Sequence, residues 1–216
     1  MSVTLVLGGV RSGKSRYAEE ILSYRLDVTY VAAGARPADA ESDPEWAGRV
    51  RTHQQSRPVS WRTIESVDLV GLLHQPGGPL LIDCLGTWLA SLVDRAESWD
   101  DLDAAADLVH REVAALIESL QATSRRVVIV SNEVGASLVP LTASGRFFQD
   151  ELGRLNTAVA DVADQVVLVV AGRVLDLSGA PRVPRMSTRR GGPQDRPRRA
   201  QVQDGIPQDR SPQESP

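Results

Sequence analysis

The chain has 216 residues, a formal net charge of −4 and a sequence pI near 5.4. That length holds one α/β domain with a real core, and an acidic balance argues against nucleic acid as the main partner, because phosphate backbones are met by basic faces. A single cysteine, Cys84, excludes an internal disulfide and fits a reducing compartment, and no apolar run is long enough to span a bilayer.

Apolar, strand-like runs recur at 3–7, 28–33, 79–84, 126–131 and 165–171, with a possible hairpin strand at 174–177 after Gly172. Helical patterns lie between them. The first follows Lys14, with Tyr17, Ala18, Ile21 and Leu22 on one face. The clearest runs from Asp101 to Ala122, with Leu102, Ala105, Leu108, Val109, Val113, Leu116 and Leu120 at helical spacing, and another covers 147–162. Near-continuous apolar strands alternating with helices predict a mostly parallel sheet covered on both faces. From about Ser178 the composition turns to Pro, Arg, Gln and Gly, and residues 181–216 hold eight arginines against four acids. Such a stretch cannot bury enough apolar surface to offset its ordering entropy. The expected organisation is therefore a catalytic domain over 1–177 and a disordered tail over 178–216. Charge first appears at Arg11, after the first strand, so no secretory signal pattern is read and a cytoplasmic location is expected.

Lys14 is the only lysine in the chain. It sits in Gly8-Gly9-Val10-Arg11-Ser12-Gly13-Lys14-Ser15, which fulfils G-x-x-x-x-G-K-[ST] between a strand and a helix. Glycines let the backbone curl close to a ligand, and the curled amides form an anion nest that the following helix dipole reinforces. The Lys14 ammonium is then placed for the β- and γ-phosphates, and the Ser15 hydroxyl for Mg²⁺. Asp83 ends the run Leu80-Leu81-Ile82 and is either a second Mg²⁺ ligand or the N-cap of the helix that follows. Asn132 and Glu133 follow a later strand as site residues or as loop caps. His74 falls in a turn and His110 on the long helix. Neither has Cys or His ligand spacing, so no zinc site is expected. His53 lies between Arg49 and Arg57 at spacings that share a helix face. Spacing alone leaves two readings open: an exposed histidine on a basic helix, or a neutral imidazole that attacks phosphorus.

Taken in order, these blocks resemble the bifunctional adenosylcobinamide kinase / adenosylcobinamide-phosphate guanylyltransferase family of cobalamin synthesis. The resemblance rests on Gly8 to Glu19, Arg49 to His53 running through Arg57-Pro58 to Trp61-Arg62-Thr63-Ile64-Glu65, and Leu81 to Leu85. It continues in Ser131 to Gly135 with Val139-Pro140, in Arg146 to Asp150 and in Gly153 to Asn156. It covers roughly residues 2–177.

The resemblance implies a P-loop NTPase-type, RecA-like α/β fold and a homotrimer. It also implies two reactions. Adenosylcobinamide is phosphorylated with ATP or GTP, and GMP then passes from GTP to that phosphate through a guanylylated histidine. The family's histidine falls on His53, with Lys14 the other catalytic residue. Nucleotide contacts carry over to Gly8, Gly9, Val10, Arg11, Ser12, Gly13, Lys14, Ser15, Ala32, Ala33, Gly34, Gln54, Gln55, Ser56, Arg57, Glu65 and Asp83, with Mg²⁺ on Ser15 and Asp83. The partners implied are GTP, ATP, adenosylcobinamide and its phosphate, with no nucleic acid. Ala136-Ser137, Thr157 and Ala33 depart from the family pattern. Two alternatives remain beside this reading: a P-loop small-molecule kinase without nucleotidyl transfer, and a nucleotide-dependent switch protein.

Overall fold

A computed structural model describes residues 2–34 and 58–184. Its sheet has seven strands: β1 (Ser2–Gly8), β2 (Thr29–Ala32), β3 (Arg62–Glu65), β4 (Leu80–Asp83), β5 (Arg126–Asn132), β6 (Gln165–Val170) and β7 (Arg173–Asp176). They lie in the order β3-β2-β4-β5-β1-β6-β7. Every neighbouring pair is parallel except β6 and β7, which form an antiparallel hairpin. The helices are α1 (Lys14–Leu22), α2 (Leu69–His74), α3 (Leu85–Arg95), α4 (Leu102–Ala122) and α5 (Ala143–Val162). This is the expected α/β architecture of P-loop, RecA-like type. One strand, β5, separates the P-loop strand β1 from the strand β4 that ends in Asp83.

The apolar runs are continuous because both sheet faces are covered. Val3, Leu5, Val31, Leu80, Ile82, Val127 and Ile129 pack beneath α2, α3, α4 and α5. Their strand neighbours Val6, Tyr30, Leu81, Val128, Val130 and Val167 turn to the other face, where Ala18 and Leu22 of α1 and Trp61 cover them. The period of two thus splits each strand between two cores.

Three features depart from the predicted elements. The strand β3 was not expected, because Arg62-Thr63-Ile64-Glu65 places only Ile64 against the core and remains largely exposed at the sheet edge. The short helix α2 was not expected either. Asp68 caps it by accepting from the Gly71 amide at 2.8 Å, and His74, expected in a turn, is its last residue. The final helix begins at Ala143 rather than 147, because the Thr142 hydroxyl accepts from the Gly145 amide at 3.1 Å and starts the helix one turn earlier.

One compact unit spans Met1–Ala180. Pro181–Pro184 are exposed and irregular. Residues 185–216, most of the expected tail, lie outside the described residues, as does the 35–57 segment that carries His53.

Candidate nucleotide site

The motif at the end of β1 folds as the spacing predicts. Gly13 precedes α1 at φ 100°, in the left-handed region that a side chain resists, and Arg11 also has a positive φ of 56°. A Cβ at Gly8 would stand 2.5 Å from Ser12 Oγ and 2.7 Å from the Val169 carbonyl oxygen, so only glycine lets the loop close there. The Ser12 amide donates to the Gly9 carbonyl at 3.3 Å, and Ser12 Oγ accepts from the Lys14 amide at 3.4 Å. The Gly172 amide braces the loop from the β6–β7 hairpin by donating to the Ser12 carbonyl at 3.0 Å. Lys14 Nζ reaches back over the loop and donates to the Gly9 carbonyl at 3.3 Å. No side chain caps α1 and no acid stands in its first turn, so the positive end of the helix dipole and the ammonium face the same curl of backbone.

Among the described residues, the other predicted ones, Ala32, Ala33, Gly34, Glu65 and Asp83, gather at the same carboxyl edge of the sheet, where open α/β sheets bind ligands. In the strand register Ala32 pairs with Glu65 on one side and with Asp83 on the other, so the three form one cross-strand row. The Ala33 amide donates to the Asp83 carbonyl at 3.0 Å, and the Gly34 amide turns back to the Ala32 carbonyl at 3.0 Å. A Cβ on Gly34 would press to 3.2 Å from Thr87 Cβ, which keeps this turn tight against α3. Along β1 and β5, Gly8 pairs with Asn132. The strands β1 and β4 flank β5, so about 10 Å separates the P-loop strand from the acid-bearing strand.

The helix-cap reading of Asp83 does not hold. The helix α3 is capped by Cys84 and Thr87. Tyr30, buried in the α1-side core, donates its hydroxyl to Asp83 Oδ2 at 2.8 Å. One carboxylate oxygen is thereby fixed. A hydroxyl and a carboxylate are hard oxygen donors of the kind Mg²⁺ takes, so Ser15 and Asp83 suit that ion by type. Beside them, burial first and the charge of Asp83 second push the Cys84 thiol above its ordinary range. Among the described residues no cluster of three or more His, Cys, Asp or Glu side chains could hold a metal ion.

Of Asn132, the last residue of β5, and Glu133, which follows it, Glu133 takes the loop-capping role. Its Oε1 accepts from the Gly135 amide at 2.7 Å, while its own amide donates to the Gly8 carbonyl at 3.1 Å. The end of β5 is therefore tied directly to the P-loop. Underneath lies a buried polar pair that sequence reasoning missed. Ser131 Oγ donates to Asn156 Oδ1 at 2.6 Å, and Asn156 Nδ2 donates to the Asn132 carbonyl at 3.0 Å. A sequence signal existed: Asn156 is a polar residue between Leu152, Leu155 and Val159 on the apolar stripe of its helix. Tyr30 offered no such signal, being one aromatic in an apolar strand. His74 meets Ser119 Oγ at 3.3 Å, and His110 meets the buried Glu151 carboxylate at 3.1 Å in a groove between α4 and α5. Of the predicted site residues, His53, Gln54, Gln55, Ser56 and Arg57 lie outside the described residues.

Fold and site together define a P-loop nucleotide-binding α/β protein. A family described as "Cobinamide kinase / cobinamide phosphate guanyltransferase" matches residues 4–177, and the chain belongs to it. It is 36% identical over 177 residues to the "Bifunctional adenosylcobalamin biosynthesis protein CobU" of Escherichia coli (strain K12), covering 78% of this chain and 95% of that one. It is 37% identical over 182 residues to the "Bifunctional adenosylcobalamin biosynthesis protein CobP" of Pseudomonas aeruginosa, covering 82% and 98%. Among solved structures, that of Project ID PH0250 from Pyrococcus horikoshii OT3 covers 83% of this chain and 87% of its own, at 9% identity and a TM-score of 0.45. The fold class rests on the strand order. No helix among the described residues is long and apolar enough to cross a membrane.

Proposed function

We propose that this chain phosphorylates the hydroxyl of adenosylcobinamide with ATP or GTP, and then transfers GMP from GTP to the new phosphate through His53. The observation that carries the reading is the P-loop and the Glu65–Ala32–Asp83 row on one sheet edge, in a chain matching the family over residues 4–177. In the first reaction the acceptor hydroxyl oxygen attacks the γ-phosphorus, its proton passes to solvent, and the bond to the β-phosphate oxygen breaks, releasing the nucleoside diphosphate. The amide nest and Lys14 meet the charge that develops there. In the second, a ring nitrogen of His53 attacks the α-phosphorus of GTP and pyrophosphate leaves. The cobinamide phosphate oxygen then attacks the same phosphorus, breaks the P–N bond and restores the imidazole. The P-loop serves as γ-phosphate clamp in one reaction and as leaving-group clamp in the other. Mg²⁺, held by Ser15 and Asp83, would neutralise phosphate charge. The working form in this reading is a cytoplasmic homotrimer.

The test is incubation with GTP labelled at the α-phosphate. Protein-bound label that is acid-labile, base-stable and absent from His53→Ala is the expected result, with phosphorylation of adenosylcobinamide retained in that variant. Absence of label under every condition removes the guanylyl-transfer half.

A further inference from the structure

Between β5 and α5 the chain runs through Leu138-Val139-Pro140-Leu141. Leu138, Val139 and Leu141 are 92%, 74% and 98% exposed. Singly exposed aliphatic residues need no explanation, but three on one short segment do. This segment is also built. Arg146, Gln149 and Asn156 fall on one stripe of α5, and each is used to hold the chain between 131 and 141. Arg146 Nη1 donates to the Pro140 carbonyl at 3.0 Å and to the Leu141 carbonyl at 2.9 Å. Gln149 Nε2 donates to the Val134 carbonyl at 2.7 Å and to Ser137 Oγ at 3.2 Å. Asn156 holds Asn132 and Ser131, as described. A Cβ on Gly145 would lie 2.9 Å from Pro140 Cβ, so the proline is seated on the start of the helix. The carbonyls of 134, 140 and 141 are thus bonded inward while the aliphatic side chains are presented outward.

Two observations say what covers this surface. The segment is continuous with the nucleotide site: its root at Glu133 donates to the Gly8 carbonyl, and Val10 on the P-loop is likewise apolar and 77% exposed. Its extent is also small. A stable protein interface takes about 20–30 residues a side, so these few side chains do not make one by themselves, whereas they suffice as one apolar wall of a ligand site.

We infer that Leu138, Val139 and Leu141 form an apolar platform for the phosphoryl acceptor, receiving the methyl-bearing rim of the corrin macrocycle while its hydroxyl arm extends toward the P-loop. The inference rests on the function proposed above and assigns the acceptor's place within it. It makes α5 a positioning helix for the platform.

The test is equilibrium binding of adenosylcobinamide to the full chain and to Leu138→Ser, Leu141→Ser and the double variant. Binding of a fluorescent GTP analogue and sedimentation velocity run in parallel. Both leucines are exposed, so folding is not at stake. Each substitution is expected to weaken corrinoid binding several-fold, and the pair at least tenfold, with analogue affinity and sedimenting mass unchanged. Undiminished corrinoid affinity in the double variant, beside a wild-type chain that binds, overturns the platform alone. A drop in sedimenting mass instead assigns the strip to contact with a second copy and also overturns it. A wild-type chain that binds nucleotide but no adenosylcobinamide overturns the parent function and the platform with it.

Discussion

Replacing Asn156 with leucine tests how the carboxyl end of β5 is held. The two side chains share the same branching, so the change leaves no cavity, and its main cost is the polar groups it strands, with methyl groups now pressed against them. Ser131 Oγ loses its acceptor at 2.6 Å in a fully buried position, and the Asn132 carbonyl loses its donor at 3.0 Å. An unsatisfied buried group costs about 1–3 kcal/mol. Asn132 is only half-buried, so water relieves part of its share, and the total is about 2–4 kcal/mol. That is a large fraction of the roughly 5–15 kcal/mol that holds a domain folded. Urea unfolding of Asn156→Leu, Ser131→Ala and the double variant measures it, provided m is unchanged across the series. Ser131→Ala removes the stranded hydroxyl, so the double variant should recover about 1–2 kcal/mol relative to the sum of the singles. Single costs that add to the double within about 0.5 kcal/mol would mean the Ser131–Asn156 bond contributes nothing, and the account of this strand end would be wrong.

Gly8→Ala should weaken binding of a fluorescent GTP analogue by about fivefold or more, because its Cβ meets the Val169 carbonyl at 2.7 Å and overpacking costs about 1–3 kcal/mol; unchanged affinity would show that the loop tolerates a side chain there. Tyr30→Phe removes the phenol that holds Asp83 Oδ2 and should raise the Mg²⁺ concentration for half-maximal turnover several-fold; superimposed Mg²⁺ titrations would deny Tyr30 that role. The Cys84 thiol is pushed up in the folded chain, so the native state keeps its proton longer than the unfolded state. Stability from this group is therefore present at neutral pH and is lost as pH rises through the alkaline range above its ordinary value. Cys84→Ala should flatten the alkaline limb of the stability curve, and an unchanged limb would refute the assignment.

The phosphate loop was legible in the sequence because its physics is local: glycines, one lysine and a hydroxyl within a single turn of chain between a strand and a helix. The parallel sheet was legible for a related reason. Strands buried on both faces leave unbroken apolar runs, and Val127 to Val130 carry that signature without help from any neighbour. At β3 the same criterion had nothing to read, because an edge strand of Arg, Thr, Ile and Glu is defined by its partner β2 rather than by its own pattern. The choice between cap and site residue at Asp83 and Glu133 was likewise not local. Both residues follow apolar strands, but the α3 cap was taken by Cys84, and Glu133 folded back on the Gly135 amide. Asp83 meets Tyr30 across 53 positions of chain, and Ser131 meets Asn156 across 25. A sequence names the groups able to donate and accept, and tertiary packing alone decides which of them arrive within 3 Å. For this chain, composition and motif determined the class of ligand and the phosphate grip, while the register of β2, β4 and β5 and the seating of α5 decided which side chains stand beside it.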